Sequence, residues 1–157
     1  MRAREHIRYL RFFFRHKWYV YLASRKFKHI TFRQVLAHDM SKLSHRQWIA
    51  YASNFSGDTD RDRYDGAVLE HYHRTKHHWQ SWLLILPDGT ITMLPMPIRY
   101  IEEMICDWEA IGRIDGKDDL LGFVLKNRYN MHLHFKTVRI IESILYEHYN
   151  GYKKSNC

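Results

Sequence analysis

Residues 38–42 read His-Asp-Met-Ser-Lys (HDMSK), which puts an imidazole, a carboxylate and an ammonium group into one short run. Read as part of a helix, adjacent His38 and Asp39 can present their side chains to one metal ion, and a carboxylate can bridge two. Lys42 comes three residues after Asp39 and four after His38, so on a helix it shares their face. A cation beside such a site suits an anionic substrate. An HD dipeptide is common by chance, and its weight here comes from two runs downstream of it. His71, His73, His77 and His78 come in EHYHRTKHHW, and Glu103 and Asp107 in EEMICDW. Buried histidines and carboxylates are costly unless paired or metal-bound. Spread over several helices, they suit a site assembled in the core of a helical bundle.

Working outward, residues 3–24 read as a helix that is apolar on two sides. One seam holds Ile7, Leu10, Phe14, Trp18 and Tyr21; the other holds Tyr9, Phe12, Phe13, His16, Val20 and Ala23. Between them runs a basic stripe of Arg4, Arg8, Arg11 and Arg15. A helix apolar over most of its circumference is expected to lie centrally in the core, with His16 pointing inward. Membrane-surface binding through the arginine stripe is the rival reading.

Thr31 can cap a second helix running through Phe32, Val35 and Leu36 into His38–Asp39. Ser44 with Gln47 has the capping-box pattern for a third helix over about 45–54. The polar run SGDTDRDRYDG (56–66) reads as a surface loop, its aspartates lacking EF-hand spacing. A fourth helix over about 67–79 would carry the histidine cluster. In 82–93, the turn sequence PDG between β-prone runs marks a hairpin. Pro97 can start a helix over 97–111 with Ile101, Met104, Ile105 and Trp108 on one face. Helices over about 118–127 and 135–149 complete the chain. The expected fold is mostly α, a single helical domain over 1–157 with a small β-hairpin.

Composition narrows the function classes. The chain has 157 residues, of which 45% are hydrophobic, enough to bury a core and too many for disorder. Its formal net charge of +8 favours anionic partners, a small-molecule substrate such as a nucleotide or else nucleic acid. Cys106 and Cys157 are the two cysteines and have no metal or disulfide spacing, so a reducing cytoplasm is expected. Arg11, Arg15, His16 and Lys17 interrupt the N-terminal apolar stretch before the roughly 18 residues a membrane span needs. The same residues argue against a signal peptide, and no membrane partner is expected.

The expected metal ligands are His16, His38, Asp39, His71, one or both of His77 and His78, and Asp107. On a continuous helix His78 shares the face of His71 and His77 does not, unless the helix ends near Thr75. Glu103 could accept a proton from a ligand histidine or from bound water. Plainer readings stand beside these. His16 alone would be a satisfied core histidine, His77–His78 a solvated helix end, and Lys42 a surface cap. Asp107 would pair with Arg99 or Arg113. His45, His73, His132, His134 and His148 read as structural or exposed.

The order His, then HD with a following Lys, then further His and a final Asp resembles the HD-domain superfamily, a helical metal-binding fold dominated by phosphohydrolases. HDMSK is similar to the HD-x-G-K run of the HD-GYP branch of cyclic-dinucleotide phosphodiesterases, with Ser41 in place of Gly. The GYP element is absent, since WQSW comes directly after His77–His78. His71 and His77–His78 also lie closer together than the matching histidines do there. Over nearly the whole chain, RHKWYV, HDMSKLS, HYHRTKHHW and EMICDW are similar to a small uncharacterised family from phage and bacterial genomes.

The resemblance implies an HD-like bundle holding one or two divalent transition metals, with Mn, Fe, Ni and Zn the candidates. It implies a phosphohydrolase, a phosphodiesterase or nucleotidase acting on a nucleotide or cyclic (di)nucleotide through metal-activated water. Asp39 would bridge two metals, with His16, His38 and Asp107 completing one and His71 with His77 or His78 the other. Lys42 and Arg74 would bind the substrate and neutralise phosphoryl charge, with Asp39, Lys42 and Glu103 as the catalytic set. Some HD-fold proteins with this ligand order resemble di-iron oxygenases, and His-rich ligation does not separate the two. The third reading is a non-catalytic nucleic-acid-binding or inhibitory protein with a structural metal site.

Overall fold

The structure, a computed structural model, describes residues 3–55 and 60–149. It is mostly helical with one small antiparallel hairpin, as expected. In order, the helices are α1 (Ala3–Ser24), α2 (Phe32–Ala37), α3 (His45–Ser53), α4 (Arg61–Arg74), α5 (Ile98–Ile114), α6 (Leu120–Asn127) and α7 (Phe135–His148). Short 3-10 turns lie at Met40–Leu43 and Trp79–Trp82. The hairpin pairs β1 (Leu83–Ile85) with β2 (Ile91–Met93), with Leu84 opposite Thr92. Its turn uses Gly89 at φ 83°, a left-handed conformation glycine adopts without steric cost.

α1 and α5 pack along each other and frame the site. α3 leans on α1 and α4, while α6 and α7 pack on α5. Two apolar clusters hold the bundle. Val20 and Ala23 of α1 meet Cys106 and Ala110 of α5, closed by Ile30 and Val35. On the far side of α5, Ile101, Met104 and Ile105 meet Leu120 and Val124 of α6 and Ile141, Ile144 and Leu145 of α7. Each fully buried side chain of this size contributes about 1.5–3 kcal/mol relative to exposure. α5 is thus locked on two faces, and what it presents between them is held rigidly.

Several expectations need correction. α1 is not buried all round: Tyr9, Phe13, His16, Val20 and Ala23 are covered, whereas Ile7, Leu10, Phe14 and Trp18 face solvent. A sequence pattern shows which residues are apolar, not which of two apolar seams finds a partner. The HD pair does not lie on a helix, because α2 ends at Ala37 and Asp39 is left-handed at φ 60°. Of the run 56–66, residues 56–59 lie outside the described residues. The rest begins α4 at Arg61, where the Asp60 carboxylate accepts the Arg63 N–H at 3.1 Å. α4 ends at Arg74, short of the expected 79, so His77 and His78 come after it in a turn. Thr31 caps α2 as expected, but the Ser44 side chain makes no cap bond and Gln47 is buried instead. Among the described residues, no helix is long and apolar enough to cross a membrane.

Candidate metal centre

The break after α2 aims the HD pair. With His38 at φ −51° and ψ 125° and Asp39 left-handed, both side chains turn inward, and each residue is 2% exposed. Aspartate tolerates this backbone region better than most residues, and strained single residues of this kind concentrate at functional sites. Lys17 of α1 secures the turn by donating to the Leu36 carbonyl at 2.9 Å and the His38 carbonyl at 2.8 Å. Neither the break nor the role of Lys17 was legible in the sequence.

Two groups of donor atoms meet at Asp39. In the first, His16 Nε2 lies 3.1 Å from Asp107 Oδ1, 3.2 Å from His38 Nε2 and 3.5 Å from Asp39 Oδ2. His38 Nε2 stands 3.6 Å from Asp107 Oδ1 and 3.7 Å from Asp39 Oδ2. In the second, Asp39 Oδ1 lies 3.1 Å from His71 Nε2 and 3.7 Å from His77 Nε2, and His78 Nε2 lies 2.9 Å from His71 Nε2. Ligand atoms about 2.1 Å from a common ion stand about 3.0–3.4 Å apart in octahedral or tetrahedral arrangements. The spacing fits. So does the bonding, since buried Asp39 Oδ1 and His77 Nε2 have no hydrogen-bond partner among the described residues. His71 Nε2, 3.1 Å from Asp39 Oδ1, is paired with His78 Nε2 at 2.9 Å. These groups could therefore hold a metal ion.

A second tier fixes the imidazoles of His38, His77 and His71. Glu103 Oε1 meets His38 Nδ1 at 2.9 Å and His77 Nδ1 at 3.2 Å, while Oε2 accepts from Gln34 Nε2 at 2.6 Å. One carboxylate so orients a histidine of each donor group, leaving both Nε2 atoms for the centre. Ser41 Oγ, 3.1 Å from His71 Nδ1, does the same for His71. Orienting partners of this kind set the tautomer and basicity of metal-binding histidines. The sequence suggested Glu103 but not Gln34 or Ser41; Ser41 stood in HDMSK with no signal of its partner.

The carboxylates of the cluster stay ionised despite their burial. Burial works against charge on Asp39, yet Lys42 and His38 outweigh it and hold its carboxyl well below the usual range. Burial likewise opposes charge on Asp107, and hydrogen bonds from His16 and His38 overcome it. His38 is raised to about 10 because the Asp39 and Asp107 carboxylates prevail over its complete burial. His78 is pushed down to about 2, by burial first and then by neighbouring His77. Glu103 is drawn down to about 2, its burial overcome by hydrogen bonds from His38 and His77.

All seven expected ligands converge: His16 from α1, His38 and Asp39 from the break, His71 from α4, His77 and His78 from the turn, and Asp107 from α5. With α4 ending where the sequence left the alternative open, both His77 and His78 join His71. Lys42 Nζ is 2.7 Å from Asp39 Oδ2 and lies over the Tyr51 ring, so it is not a surface cap. Arg74 lines an open cavity of about 300 Å³ behind His38, His77 and Glu103, with its guanidinium 3.0 Å from Glu70. Of the histidines set aside, His45, His73 and His132 are exposed, and none of the five set aside belongs to these donor groups.

A model of a family of unknown function, DUF5662, matches residues 5–147. No curated protein and no solved structure matches.

Proposed function

The chain belongs to that family of unknown function, and from the donor cluster and the HDMSK resemblance we propose that it is a metal-dependent phosphohydrolase of HD-domain type. Its substrate class is a nucleotide or cyclic (di)nucleotide, cleaved by phosphodiesterase or nucleotidase chemistry. Asp39 is the observation that carries the reading. This buried carboxylate turns Oδ2 to His16 and His38 and Oδ1 to His71 and His77, so one side chain serves two donor sets. Divalent ions, if held by His16, His38, Asp39 and Asp107 and by Asp39, His71, His77 and His78, would supply Lewis acidity and lower the pKa of bound water towards about 7. The mixed imidazole and carboxylate donors suit manganese, iron, nickel or zinc.

The chain's own groups do the rest. Lys42 places a fixed positive charge beside the shared carboxylate, where it stabilises charge developing on a phosphoryl oxygen. Glu103 keeps His38 and His77 in register by holding their Nδ1 atoms. The resemblance of HDMSK to the HD-x-G-K run supports the hydrolase reading, as does the net charge of +8.

The test is anaerobic hydrolysis of bis(p-nitrophenyl) phosphate and of nucleoside and cyclic-dinucleotide phosphates by metal-loaded protein. Turnover that Asp39→Ala abolishes supports the reading. Oxygen uptake by the iron form, with no phosphate ester cleaved under any metal, would replace it with a di-iron oxygenase.

A further inference from the structure

We propose that the outward face of α1 is a docking surface for an anionic lipid bilayer, with the helix lying in the plane of the interface. α1 has two apolar seams, and the bundle uses one. Tyr9, Phe13, His16, Val20 and Ala23 are buried, whereas Ile7 is 50%, Phe14 61% and Trp18 58% exposed. With Leu10, these exposed side chains recur at steps of three and four residues. They form one apolar line about 16 Å long. Arg4, Arg8, Arg11 and Arg15 fill the adjoining arc of the same helix, all exposed. The ion pairs of the described residues include none of the four.

Charge and shape choose the occupant. A line of aliphatic and aromatic side chains flanked by arginines is the composition of a helix that sits at a membrane interface. There the apolar side chains enter the acyl boundary and the guanidinium groups meet lipid phosphates. Nucleic acid would engage the arginines but leave Ile7 and Leu10 in water. A second copy of the chain would bring four more arginines to the same face. The inability of α1 to cross a membrane is no obstacle, because interfacial binding requires no span. The expectation of no membrane partner rested on the lack of a spanning stretch and of a signal peptide, and neither bears on a helix lying in the interface. The metal centre lies on the opposite seam through His16, so docking leaves it on the side away from the lipid.

The experiment is co-sedimentation of the full chain with vesicles of phosphatidylcholine containing a quarter phosphatidylglycerol, beside pure phosphatidylcholine. Wild type should bind the mixed vesicles, weaken as salt rises and bind pure phosphatidylcholine poorly. Phe14→Ser with Trp18→Ser should reduce binding at least about tenfold. Arg8→Gln and Arg11→Gln should each reduce it roughly fivefold. Circular dichroism should be unchanged, because all four side chains are exposed. No binding to the mixed vesicles would overturn the proposal, as would binding that the Phe14/Trp18 variant retains. A wild-type dimer that this variant dissociates, without vesicle binding, would also overturn it and assign the face to self-association.

Discussion

Lys42 Nζ lies 2.7 Å from Asp39 Oδ2, the same oxygen that faces His16 and His38. The cation is therefore part of the centre, yet it donates no metal ligand. Lys42→Ala should keep the bound metal and lower kcat about 10²–10³-fold, as loss of one preorganised charge-stabilising donor does. Metal content and phosphodiester turnover measured on one preparation check this. An unchanged rate would remove Lys42 from the chemistry.

Glu103 holds His38 and His77 by their Nδ1 atoms. Glu103→Gln should weaken metal affinity about 10–100-fold while the helical signal stays intact. Metal titration followed by calorimetry reads the effect. Wild-type affinity in this variant would mean the histidines need no orienting carboxylate.

The two seams of α1 and the core of α5 should separate cleanly in stability. Ile101 is fully buried between α5 and its neighbours, so Ile101→Ala should cost about 2–5 kcal/mol in denaturant unfolding. Ile7 is half exposed, and Ile7→Ala should stay within about 0.5 kcal/mol. Comparable losses at both positions would contradict the one-sided burial of α1.

The pH profile of the metal-free chain is set by opposed histidines. His38 has a folded pKa of about 10 against an ordinary 6.5, so its contribution is full below pH 6.5 and fades as pH rises towards 10. His78 is held neutral, with a folded pKa of about 2 against 6.5. Its contribution is full above pH 6.5 and fades as pH falls towards 2. Asp39 and Asp107, both held well below 3.8, add to the acid-side loss. Without metal, stability should peak near pH 6.5. Metal displaces the proton of a ligand histidine, so the loaded protein should resist the alkaline decline. Melting temperatures across pH, with chelator and with metal, test this. The same alkaline loss in both would count against metal at His38.

Much of this was legible in the sequence, for identifiable reasons. α1, α5 and the hairpin carry strong periodic or turn signals, and the structure has them close to where those signals put them. The seven ligand candidates could be named because histidines and carboxylates at core spacings have few inexpensive alternatives. What stayed hidden depends on tertiary context. Asp39 adopts a left-handed backbone that only its surroundings enforce, with Lys17 pinning the turn beside it. The Asp60 cap turned a polar run, read as loop, into the first turns of α4. Glu103 serves two histidines from different segments, a relation no local spacing encodes.

The most direct test of the centre is metal content by mass spectrometry of protein purified without a histidine tag, wild type beside Asp39→Ala. Between about one and two ions per wild-type chain are expected, lost in a variant that remains folded. Wild type that stays empty after dialysis against manganese, iron, nickel and zinc would contradict the metal centre, as would a folded Asp39→Ala chain that retains the full complement.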